Sequence, residues 1–172
     1  GNSYSGDATK NSIVINGGTV NTIVGVYGAY SSSGNAGGIN KGNTVTITGG
    51  TLKGKGKVYG GYVSGGSGSA INNAVDISGS ATIGSSGSSK DIYCGYTGGT
   101  GIATGNTVSI NLVTNNKGTP DDTTDDTGVI WGTVYGGYSE SGDAGGTGAN
   151  EGNTVNITRG TVSGSVYGGY VS

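Results

Sequence analysis

The sequence predicts an all-β protein, a parallel β-solenoid (β-helix) of about five coils, with ladders of Asn and Tyr running along it. Three observations predict it. A phrase opening on Asn recurs at Asn11, Asn43, Asn73, Asn106 and Asn153, as NSIVI, NTVTI, NAVDI, NTVSI and NTVNI. A second phrase follows each copy: VYGAY from Val26, VYGGY from Val58, IYCGY from Ile92, and VYGGY from Val134 and Val166. The first Tyr of that phrase stands at 27, 59, 93, 135 and 167, so the spacings are 32, 34, 42 and 32. A fixed period of this size marks a stacked array, because one unit alone cannot bury its apolar face. A four-stranded propeller blade needs about 40 residues or more, which favours one solenoid coil per unit.

The first run of each unit is a strand. Val45 and Ile47 alternate with Thr44, Thr46 and Thr48, a period of two built from β-branched residues. The pairs Ile13/Ile15, Val75/Ile77, Val108/Ile110 and Val155/Ile157 keep the pattern. Gly49-Gly50 and Gly17-Gly18 then supply turns, since glycine reaches backbone angles closed to other residues. A second alternating run follows, as in Val162, Gly164, Val166 and Gly168. Nothing repeats at 3.6 residues, and helix formers are scarce. Stacked about 4.8 Å apart by parallel pairing, equivalent residues lie over one another. The five Asn residues are then expected to form an amide ladder at one corner, each bonding those above and below.

The fourth unit is longer, and residues 111–127 are expected to form an inserted loop. The chain as a whole, residues 1–172, reads as a single solenoid segment. All 11 Tyr residues are expected to fall in two columns. Tyr27, Tyr59, Tyr93, Tyr135 and Tyr167 oppose Val58 in parity and are expected to face outward. Tyr30, Tyr62, Tyr96, Tyr138 and Tyr170 form the other column, with Tyr62 expected inward. Tyr4 is expected to close an earlier unit, as Tyr138 does. Both termini fall within the repeat, so the segment reads as a window on a longer array, or as a copy that stacks end to end into a fibre.

Composition sets limits on chemistry. Gly numbers 41 of 172 residues with 1 Pro, a mix that without a repeat would suggest disorder. There is no His and no Met, and Cys94 is the single cysteine. His-based triads, His- or Cys-rich metal sites and an internal disulfide are excluded. A net charge of −2 with 10% charged residues gives no electrostatic footprint for nucleic acid. No apolar run approaches the ~20 residues of a membrane-spanning helix.

Three candidate sites remain. The first Tyr column, flanked by glycine, offers a platform for sugar rings; the competing reading is a structural ladder of stacked rings. In the insert, Asp121, Asp122, Asp125 and Asp126 are the candidate ligands for Ca²⁺, which takes 6–8 oxygens. Their spacing matches no EF-hand loop, and a solvated surface loop is the simpler account. No other cofactor is expected. A polysaccharide-cleaving enzyme would need a carboxylate pair. Asp76 and Asp91 are the available pair, without an Arg or Lys cluster to hold an acidic polymer.

The phrases GNTVTITGGTLKGKGKVYGGY (42–62) and GNTVNITRGTVSGSVYGGY (152–170) resemble the Gly/Thr/Asn-rich passenger repeats of bacterial autotransporter-type surface proteins. The resemblance covers essentially the whole chain. It implies an extracellular, cell-surface or secreted β-solenoid, a stalk or adhesin, and it carries over no functional residues. The expected partners are a host or surface glycan or protein, or further copies of the chain. The alternative function is a glycan-binding or glycan-cleaving β-helix.

Overall fold

A computed structural model of the chain describes residues 1–113, 128–146 and 151–172. The described residues are all-β, without a helix, and wind as a parallel β-solenoid of about five turns. Three parallel sheets form its walls. The first contains Ser12–Asn21, Thr44–Lys53, Ala74–Gly79, Thr82–Ile83, Thr107–Leu112, Val129–Ile130, Thr154–Arg159 and Thr161–Val162. The second, the tyrosine wall, stacks Asn2–Ser3, Gly25–Ser31, Lys57–Val63, Ile92–Thr97, Val134–Ser139 and Val166–Val171. The third is short: Ala36–Gly37, Ala70–Ile71 and Ala103–Thr104.

Register follows the sequence repeat. Val45 pairs with Ile13 and Val75, and Ile47 with Ile15 and Ile77. Leu52 pairs with Val20 and Ile83, which continues to Ile130 and Val162. Val58 pairs with Val26 and Ile92, then Val134 and Val166 follow. Four apolar columns therefore fill the space between the first two walls, and their inner members are fully buried. Burying each such side chain is worth about 1.5–3 kcal/mol. A coil gains this only when neighbours cover it, which is why the unit repeats.

Two expectations about the tyrosines are corrected. The Tyr62 column does not face inward: Tyr59 and Tyr62 touch edge to face, their centroids 4.8 Å apart. Residues three apart in a regular strand face opposite sides. The two positions between them both turn inward, since Cys94 occupies the first and Ala29 the second and each is fully buried. Glycine at these positions in the second coil lets the wall bend onto the Asn corner. A Cβ on Gly60 would lie 2.5 Å from the Cys94 carbonyl oxygen, and one on Gly61 2.5 Å from Asn73 Nδ2. Tyr4 also lies outside both columns. Asn2 pairs with Tyr30 and Ser3 with Ser31, so Asn2 holds the column position and Tyr4 projects into solvent.

Lys90 is buried in the third coil, and its Nζ donates to the Gly56 carbonyl. Burial holds its ammonium below the ordinary lysine range.

Candidate functional site

The Asn ladder is built where the third wall turns into the first. The preceding residue is left-handed in three coils: Lys10 (φ 58°), Asn72 (φ 55°) and Gly105 (φ 65°). That corner turns each Asn side chain into the solenoid. Asn11 Nδ2 donates to Asn43 Oδ1 at 2.8 Å, Asn43 to Asn73 at 2.8 Å, Asn73 to Asn106 at 3.0 Å and Asn106 to Asn153 at 2.9 Å. Each backbone N–H along the row donates to the same oxygen as its own Nδ2. The second Nδ2 hydrogen goes backward, to the carbonyls of Ala8, Ala36, Ala70 and Ala103 from Asn43, Asn73, Asn106 and Asn153. Asn43, Asn73 and Asn106 are buried, and their amide groups are satisfied in both directions.

The sequence reading missed that backward half. Its signal was a Gly-x-Ala phrase: Gly6-Asp7-Ala8, Gly34-Asn35-Ala36, Gly68-Ser69-Ala70, Gly101-Ile102-Ala103 and Gly142-Asp143-Ala144. Short, low in hydrophobicity and set in variable surroundings, it lacks the period-two pattern that marks the longer walls.

The tyrosines form a double zipper on the outer surface. Within the first column, successive rings stack at 4.8, 5.3, 4.5 and 5.2 Å, 6–16° apart in plane. Within the second the distances are 5.3, 4.7, 5.1 and 5.4 Å. The columns also meet edge to face within each coil and from one coil to the next, for example Tyr59 to Tyr62 and to Tyr96. Such pairs contribute about 0.5–1.5 kcal/mol each beyond area burial.

This geometry bears on the sugar platform. A sugar ring stacks on an aromatic face, and both faces of Tyr59, Tyr93 and Tyr135 are covered by neighbouring tyrosines. Tyr59 and Tyr93 are themselves buried, at 8% and 5% exposure, so the column expected to offer open ring faces does not present them there. The carboxylate pair fares similarly. Asp76 stands exposed on the first wall, whereas Asp91 leads into the tyrosine wall and lies 3.4 Å from Lys57 Nζ. That ammonium also donates to the Tyr93 hydroxyl at 3.1 Å and sits 4.9 Å from the centre of its ring. Asp121, Asp122, Asp125 and Asp126 lie outside the described residues. Among those described, no three acidic or Cys side chains converge as a metal site.

No family model, curated protein or solved structure matches this chain.

Burial is the largest cause raising the Tyr27, Tyr59, Tyr62, Tyr93, Tyr96 and Tyr135 hydroxyls above the ordinary phenol range. An unfolded phenol ionises near pH 10. Below that, both states hold the proton and the contribution to stability is complete. Above it the unfolded chain loses protons first, so stability falls as pH rises towards the folded values. Lys90 acts with the opposite sign, because its folded value is lowered: the unfolded chain holds the extra proton, and stability rises with pH towards the ordinary lysine value. Six phenols outweigh one amine. The urea midpoint is expected to fall steeply above about pH 10, together with the onset of phenolate absorbance; a midpoint that rises there would contradict this balance. The Cys94 thiol is pushed up to about 12 by burial, and is expected to react with a disulfide reagent only on unfolding.

Proposed function

We propose that this chain is a structural stalk or adhesin repeat segment of a secreted or cell-surface bacterial protein, akin to the autotransporter-type passenger repeats it resembles. One observation carries the reading: the buried Asn row links all five coils without leaving an inner amide unsatisfied. Parallel pairing and tyrosine stacking run in the same direction as that row. Three ladders along one axis resist bending and shear between coils, which is what a rod that holds loops away from a surface requires. The side chains best suited to chemistry are spent on holding coils together, and the role is mechanical rather than catalytic.

A panel of plant, fungal and bacterial polysaccharides, assayed for retention and for release of reducing ends, tests the proposal. A passive rod gives neither. Release of reducing ends would move the protein to the glycan-cleaving alternative, and retention without release to the glycan-binding one.

A further inference from the structure

The tyrosine zipper has a chemistry that a purely mechanical role leaves unused. Ten phenol rings form one connected array from the first coil to the fifth, and no step along it exceeds 5.9 Å between centroids. Aromatic rings in such contact exchange an electron readily. A phenol that loses an electron also loses its hydroxyl proton, so the oxidised state settles where a base lies within hydrogen-bond reach.

Among the described residues one phenol of the array has a carboxylate in that position: the Tyr96 hydroxyl donates to Glu140. Its neighbours differ. The Tyr93 hydroxyl accepts from the Lys57 ammonium, and the nearby Asp91 carboxylate is paired with that ammonium at 3.4 Å, so no carboxylate stands ready to take the Tyr93 proton. The Tyr27 hydroxyl reaches the Val24 carbonyl at 3.5 Å, an oxygen too weakly basic to take a proton.

We propose that the zipper conducts oxidising equivalents along the solenoid and that Tyr96 is where they collect, as a tyrosyl radical and a site of oxidative modification. The co-reactant is an outer-sphere one-electron oxidant. It takes one electron from the first ring it meets and is reduced by one electron. That ring is refilled by electron transfer from its neighbours, and the vacancy moves to Tyr96. There the O–H bond breaks, the proton passes to the Glu140 carboxylate, and a neutral phenoxyl radical remains.

The test attaches a ruthenium photo-oxidant to a Val24→Cys variant. Val24 is exposed beside Tyr27, and buried Cys94 escapes the label. The background carries Tyr4→Phe and Trp131→Phe, to remove the two oxidisable rings outside the array. After flash oxidation with a cobalt(III) quencher, a nitroso spin trap is added and adducts are mapped by peptide mass spectrometry. The adduct is expected to concentrate on Tyr96, two coils from the label. Changing Tyr59→Phe and Tyr62→Phe together keeps the stack but inserts rings that resist oxidation. Adduct at Tyr96 should then be lost and remain on Tyr27 and Tyr30. In Glu140→Gln, the preference for Tyr96 should disappear and adduct spread over both columns. Undiminished adduct at Tyr96 in the double Phe variant would overturn conduction. A distribution unchanged by Glu140→Gln would overturn Tyr96 as the collecting site.

Discussion

Asn73→Ala is expected to cost about 3 kcal/mol of folding stability, a large share of the roughly 5–15 kcal/mol that holds a domain together. The reason lies in what the truncation leaves behind. Asn73 Oδ1 accepts from the Asn43 backbone N–H at 3.1 Å and from Asn43 Nδ2 at 2.8 Å. Asn73 Nδ2 donates to the Ala36 carbonyl at 2.9 Å. Removing the amide strands two donors in a dry corner, each at about 1–3 kcal/mol, while the Ala36 carbonyl loses one donor but keeps its place in the parallel ladder with Ala70–Ile71. The Asn106 oxygen loses one donor but keeps the Asn73 backbone N–H at 3.0 Å.

Asn11→Ala supplies the comparison. It removes a single donor from Asn43 Oδ1, which retains the Asn11 backbone N–H at 3.0 Å, and Asn11 is only partly buried. Its cost is expected to stay near 1 kcal/mol. Urea unfolding followed by circular dichroism measures both. Equal losses at the two positions would mean that the buried row is not what holds the coils.

The chemistry of this ladder was legible in the sequence because it rests on residues that repeat in full: an Asn at the head of each unit and a Val or Ile at every second position after it. Their period and their parity agree, so wall, register and inward face follow together. The tyrosine wall was legible only in part. Its columns could be counted, but parity placed Tyr62 inside, because two successive positions turn inward at Gly60-Gly61, and only the small Ala29 and Cys94 of other coils mark that break in alternation. The start of the chain misled for a related reason. Tyr4 resembles the column tyrosines in type, whereas the Gly6-Asp7-Ala8 phrase sets the register and puts Asn2 in the column. Lys90 gave no signal at all, since a lysine in a Gly/Ser-rich stretch reads as solvated, and its burial depends on how the neighbouring coil places the Gly56 carbonyl.

The second large effect is expected at a glycine that makes no sharp turn. Gly68→Ala is predicted to cost about 3 kcal/mol, the upper end of what overpacking brings. The added Cβ would lie 2.3 Å from the Gly34 carbonyl oxygen and 2.5 Å from that of Ser33. Equivalent positions repeat the problem: Gly34 faces the Gly6 oxygen at 2.4 Å, Gly101 the Gly68 oxygen at 1.9 Å and Gly142 the Gly101 oxygen at 2.2 Å. The obstacle is backbone, so no side chain can swing aside. Relief needs the coils to part, against parallel bonds such as Ala36 N to Ser69 O and Ala70 N to Ile102 O, both 2.9 Å. Gly65→Ala is the control, because a Cβ there meets nothing within 4 Å, and its effect is expected within about 0.5 kcal/mol of zero. If the two variants unfold at the same urea concentration, close approach between coils does not explain this glycine column. If they differ as expected, glycine serves here as a spacer: it sets how near one coil can lie to the next, and so allows the amide row and the tyrosine stack to form at one repeat distance.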